Sequence, residues 1–144
     1  MIRGSCLCGT VAYQAETFAG PMMHCHCPTC RKAHSAAFAT TARVVRAGFR
    51  WTRGEDALGG YESTPGKTRW FCSRCGSQLV AGWATSDYVI LRIGCLDEGL
   101  GDARPSAHIF TADQPAWAPE FDDGLPHYRA EAAKPPEAAQ KTTP

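Results

Sequence analysis

Seven of the eight cysteines of this 144-residue chain fall into three clusters of unequal size. Cys6 and Cys8 form a C-x-C, Cys25, Cys27 and Cys30 form a C-x-C-x-x-C, and Cys72 and Cys75 form a C-x-x-C, while Cys95 stands alone. Such spacing constrains the fold more than any other feature of the chain. A turn in C-x-x-C, or the two-residue period of a strand in C-x-C, turns both sulfurs to one side. Two such jaws close a tetrahedral set of four thiolates, as a structural Zn²⁺ requires. Cys6 and Cys8 with Cys72 and Cys75 make that complete set, so the fold must bring these two stretches of chain together.

The triplet is one ligand short. Its economical reading is one metal ion held by a local loop through Cys25, Cys27 and Cys30, with a fourth position open to solvent or substrate. Two other readings stay open: a closed structural site completed by Cys95, His24, His26 or His34, and reactive cysteines without metal. A redox role for Cys72-x-x-Cys75 fits less well, because that motif opens a helix in a βαβ context and nothing helical follows Gly76. Four disulfides are also disfavoured, since the spacings are clustered and the N-terminus carries no export signal.

Charge narrows the partners. The formal net charge is +1, whereas binding nucleic acid chiefly through phosphates calls for a basic excess, so that partner is not expected. No apolar run approaches the length needed to cross a bilayer. The N-terminus lacks an apolar signal core, and the expected compartment is the cytoplasm, where thiols stay reduced. Arg31 and Lys32 follow the triplet and are candidates to lower thiol pKa values and attract an anionic substrate. Arg69, Arg74 and Lys67 lie near the other knuckle and could add carboxylate contacts. Trp70, Trp83, Phe38 and Tyr61 are expected in the core.

With 14 glycines and 10 prolines, the chain reads as many short elements and turns. Residues 4–17 predict a hairpin in which Val11, Tyr13 and Ala15 share a face. Met22 to Cys27 reads as a strand entering a metal knuckle, and Pro28 to Ser35 as a short helix with Pro28 in its first turn. Strands are expected at 37–41, 49–52, 60–62, 68–71, 78–83 and 88–93, with Gly59-Gly60 and Pro65-Gly66 among the separating turns. Residues 106–128 read as an ordered loop wrapping the sheet, and residues 129–144 as a mobile tail. The result is one mainly β domain over residues 1–128 with few short helices.

Several motifs in order resemble the glutathione-dependent formaldehyde-activating enzyme family, also called the centromere protein V/GFA domain. They are Gly4-Ser5-Cys6-x-Cys8-Gly9-x-Val11-x-Tyr13, Cys25-His26-Cys27-x-x-Cys30-Arg31-Lys32 with Phe38, and Arg69-x-Phe71-Cys72-x-x-Cys75-Gly76-x-x-Leu79. Gly94-x-Leu96-Asp97, His108-Ile109-Phe110, Trp117 and Asp123-Gly124-Leu125-Pro126-x-Tyr128 extend the match, which spans residues 2–128. The resemblance implies a zinc-containing β-tent (Mss4-like) fold of antiparallel sheets. It implies that Cys6, Cys8, Cys72 and Cys75 hold a structural zinc, and that Cys25, Cys27 and Cys30 hold the zinc of the active site. The implied activity is of carbon–sulfur lyase type, on a thiol such as glutathione and a small aldehyde such as formaldehyde, with Arg31, Lys32 or Arg69 meeting the thiol's carboxylates. The alternative is a non-catalytic zinc-stabilised module that carries a thiol ligand or a protein partner. One departure stands out: Ser35 occupies the place where the family usually has Gly. Cys95 is not among the family's ligands and is expected to be a small buried apolar group.

Overall fold

The computed structural model describes residues 1–131. Besides four short 3₁₀ turns, the described residues form eleven strands and one α-helix: β1 Ile2–Ser5, β2 Ala12–Ala15, β3 Met22–Cys25, α1 Pro28–His34, β4 Ala39–Val45, β5 Phe49–Arg53, β6 Leu58–Thr64, β7 Lys67–Cys72, β8 Gln78–Trp83, β9 Tyr88–Arg92, β10 Leu96–Glu98 and β11 Pro105–Ile109. They form a four-stranded sheet, β10-β1-β2-β5, and a seven-stranded sheet, β11-β3-β4-β9-β8-β7-β6. The fold is mainly β, as the sequence predicts.

The predicted hairpin is β1–β2, with Gly4 opposite Tyr13. Val11, Tyr13 and Ala15 are all buried, as their alternation requires. Gly4 is needed here because a Cβ would overlap the Tyr13 ring and the Cys95 carbonyl. In the larger sheet, Val44 on β4, Val80 on β8 and Val89 and Leu91 on β9 join Ile2, Val11 and Tyr13 in one apolar core. The opposite face of that sheet follows from register. Thr41 lies opposite Arg92 and Arg43 opposite Ile90, Ala81 faces both Ile90 and Arg69, and Met23 and Cys25 pair with Thr41 and Ala39. Because strand side chains alternate, one face of the sheet builds the core and the other gathers Cys25, Arg43, Arg69 and Arg92.

Several elements differ from expectation. Residues 106–109 are not loop but the outer part of β11, which pairs with β3 in parallel, so the larger sheet is mixed rather than purely antiparallel. This strand owes its place to a partner far away in sequence, and its Pro105 and His108 hide the usual apolar alternation. Gly59-Gly60 is not a turn but part of β6, where a Cβ on Gly59 would meet the Phe71 ring of the neighbouring strand. Tyr61 is 66% exposed rather than in the core, because β6 is an edge strand. Trp70, Trp83 and Phe38 are half-buried. Of the expected tail, residues 132–144 lie outside the described residues, while the carbonyls of Arg129 and Ala130 accept from the Ala112 and Phe110 amides.

Candidate functional site

All eight cysteines are free thiols. Cys6 follows β1 directly, and the turn to β2 carries Cys8 and Gly9, the latter at φ 73°. Cys72 ends β7, and the turn to β8 carries Cys75 and Gly76, at φ 77°. Glycine suits both left-handed positions because it has no Cβ to clash. The Val11 amide donates to Cys6 Sγ at 3.2 Å, and the Gly76 amide closes its turn on the Cys72 carbonyl at 2.8 Å. The Leu7 amide reaches across to Ser77 Oγ at 3.0 Å and ties one turn to the other.

These turns set the four sulfurs within 4.8 Å of one another. Cys6 Sγ lies 3.6 Å from Cys8 Sγ, which lies 3.8 Å from Cys72 Sγ. A tetrahedron with metal–sulfur bonds of ~2.3 Å has edges of about 3.8 Å, so both of these separations match a metal-bound set. Cys75 sits at a pKa of about 5, drawn down by its hydrogen bond with Ser77, which favours the thiolate a metal needs. Cys95 is not part of this set; it is half-buried, and its Sγ donates to the Gln78 carbonyl at 3.4 Å.

The triplet is built from one local stretch. Cys25 ends β3, Cys27 caps α1 and accepts from the Cys30 amide at 3.4 Å, and Cys30 is buried on the first turn of the helix. The three sulfurs also lie within 4.8 Å of one another, and no further His, Cys, Asp or Glu among the described residues joins them. His24 Nδ1 is instead 2.9 Å from Thr40 Oγ1, and His26 Nε2 is 2.8 Å from His108 Nδ1. Hydrogen bonds with Cys25 and Cys27 hold the Cys30 sulfur well below the usual thiol range, and the charges of Arg92 and Arg69 lower it further. Three thiolates of this kind suit a thiophilic divalent ion such as zinc.

Beside Cys25 and Cys30 opens a cavity of about 670 Å³, walled also by Met23, Lys67, Trp83 and Phe110. Lys67 Nζ sits 4.0 Å above the Trp83 ring, and burial, ahead of repulsion from Arg69 and Arg92, lowers its pKa. Phe110 takes φ 57°, a left-handed backbone that costs a bulky residue energy and that clusters at functional sites.

Of the cations expected near the triplet, Arg31 is tied down by bonds from Nε to the His26 carbonyl at 3.2 Å and from Nη2 to the Asp113 carbonyl at 3.4 Å. Lys32 is exposed, and neither residue lines the cavity. Arg69 is buried, its Nε donating to Ser63 Oγ at 2.8 Å. Arg92, which lines the cavity, escaped the sequence reading. Its position at the end of an apolar strand gave a signal, but only cross-strand register brings it to Cys30.

The family model described as glutathione-dependent formaldehyde-activating enzyme matches residues 1–113. The chain belongs to this family. A crystal structure of a Rhodobacter sphaeroides protein is similar at 23% identity and a TM-score of 0.58, covering 70% of this chain and 96% of that one. That likeness concerns the fold. No curated protein matches the chain at a significant level. Among the described residues no helix is long and apolar enough to cross a membrane.

Proposed function

We propose that this member of the family is a carbon–sulfur lyase-type enzyme that joins a thiol to a small aldehyde such as formaldehyde, at a zinc-binding site made by Cys25, Cys27 and Cys30. The observation that carries the reading is a cluster of three thiols with no fourth protein ligand among the described residues, two of which, Cys25 and Cys30, line a cavity large enough for a peptide-sized thiol. A zinc ion held there supplies a Lewis-acidic position that favours a bound thiol as thiolate. Cys6, Cys8, Cys72 and Cys75 hold a second zinc that serves the fold.

The residues then act mainly by holding two reactants together. The substrate thiolate sulfur attacks the carbonyl carbon, a C–S bond forms, and the C=O π electrons pass to oxygen, which takes a proton from water. The product is an S-hydroxymethyl thiol, and the reverse reaction breaks the same bond. Cys25 and Cys30 face the cavity, Phe110 and Trp83 narrow it against water, and Lys67 offers a positive charge near the oxygen as it turns anionic. Family membership supports glutathione as the thiol. We assign the protein to the cytoplasm, since the reaction needs reduced thiols.

The experiment follows the condensation of glutathione with formaldehyde in the presence of the zinc-loaded protein. A rate above the uncatalysed background, lost in Cys27→Ser, is expected. Saturable thiol binding with no change in that rate would instead leave a thiol-carrying module.

A further inference from the structure

Among the described residues, two arginines are buried beside the triplet without carboxylate partners. Arg69 and Arg92 are 4% and 3% exposed. Among the described residues Arg69 Nη1 and Arg92 Nε and Nη2 find no hydrogen-bond partner. Guanidinium groups cannot shed their charge in a protein, and a buried ion without a counter-ion is among the costlier arrangements a fold can hold. The charges do not cancel locally. Three thiolates around a divalent ion leave one negative charge, against which stand two guanidiniums and the half-buried Lys67 ammonium. Among the described residues the only carboxylate on the cavity wall is Glu131, and it pairs with the exposed Arg43 at 3.4 Å. About two positive charges therefore await the occupant.

Arg92 is the group placed to meet it. It lines the cavity beside Cys25 and Cys30, and also a second cavity, of about 510 Å³, on the side of His34, Ser35 and Gln78. In that second cavity His34 Nε2 and Gln78 Oε1 are likewise buried without partners among the described residues. Resting on the reading of the triplet as a thiol site, we propose that Arg92, backed by Arg69 and with Lys67 on the wall, is an anion receptor that selects thiols bearing carboxylates over neutral thiols. The thiolate then meets the triplet's open side while a carboxylate takes the unpaired guanidinium donors. Occupancy by such a ligand removes the charge excess, so uncharged thiols of the same size are poor substitutes.

The test uses protein loaded with cobalt(II) in place of zinc, whose thiolate charge-transfer bands report ligation. It is titrated with glutathione, glutathione diethyl ester and, by calorimetry, succinate. Glutathione is expected to bind about tenfold or more tightly than the ester. Arg92→Met brings glutathione down to the affinity of the ester, and Arg92→Lys recovers part of the preference. Equal affinities for acid and ester in the wild-type protein overturn the receptor, whether or not Arg92→Met folds. If no thiol changes the bands but succinate binds and Arg92→Met abolishes that binding, the receptor stands and the thiol reading falls. If neither thiols nor succinate bind, both fall.

Discussion

Ser35 caps α1 in the left-handed region, at φ 49° and ψ 43°, and its backbone amide bonds to the Arg31 carbonyl. A side chain there crowds the following carbonyl, at a cost of roughly 1–2 kcal/mol, whereas glycine carries no Cβ to crowd it. This explains why a glycine is usual at the position and why Ser35 is a departure that the chain tolerates at the surface. Ser35→Gly is expected to stabilise the protein by about 0.5–1 kcal/mol, after the extra freedom glycine gives the unfolded chain is deducted. Urea denaturation checks it, and an unchanged or lower midpoint would contradict the assignment. Phe110 has the same backbone strain, at φ 57°, but its ring packs against Cys25, Cys30 and Ala39. Glycine there would lose more packing than the strain it relieves. The family pattern flagged Ser35 from sequence, but the reason is a backbone angle that no residue spacing reveals.

At the scale of elements, β11 was the hardest to read and has much to do with the triplet. Its parallel partner β3 ends in Cys25, with Ile109 opposite that cysteine, and the Ile109 carbonyl accepts from the His26 amide at 3.0 Å. The outer side of β11 is satisfied by the segment that follows. The His108 amide donates to the Pro126 carbonyl at 2.9 Å, the Tyr128 amide to the His108 carbonyl at 2.8 Å and the Phe110 amide to the Ala130 carbonyl at 3.1 Å. His108, fully buried, also bridges His26 to Asp123 Oδ2, at 3.0 Å from the latter. The Asp123 carboxylate is held low first by that bond to His108, so Asp123 accepts from His108 Nε2–H. Residues 114–131 are thus part of the support beneath the cysteine loop, although the family model ends at 113. A chain ending at Asp113 should lose these backbone bonds, at about 1 kcal/mol each, and bare the edge of β11. A lowered urea midpoint and increased binding of a hydrophobic dye are expected; a chain of that length as stable as the full one would refute the role. From sequence this stretch reads as loop because its strand is short, polar at His108 and paired with residues far back in the chain.

The whole molecule separates two cysteine sites by what each one joins. Cys6 and Cys8 belong to the β1–β2 hairpin of the small sheet, and Cys72 and Cys75 to the β7–β8 hairpin of the large one. Metal at that set staples the two sheets over their shared core, whereas metal at Cys25, Cys27 and Cys30 joins only β3 to the helix that follows it. The grouping of the cysteines into a set of four and a set of three was legible in the spacings, because each jaw is local and its geometry is fixed by a turn. Of the cationic face, Arg69 and Lys67 were among the expected carboxylate contacts, but Arg92 was not, because it comes from a separate strand and nears Cys30 only through the register of the seven-stranded sheet. The consequence can be measured by chelation. A chelator added stepwise to protein loaded with two equivalents of zinc should take the first equivalent with little change in far-ultraviolet circular dichroism, since the loop it frees is short and β3 stays held by β4 and β11. Release of the second should coincide with unfolding, because a structural thiolate site contributes on the order of 10 kcal/mol to the fold. In the same way Cys25→Ser should retain one zinc and its β signal, while Cys72→Ser should yield an unfolded or insoluble chain. Simultaneous loss of both ions, or a folded protein after both have gone, would mean that the two sites do not divide the work as their places in the sheets require.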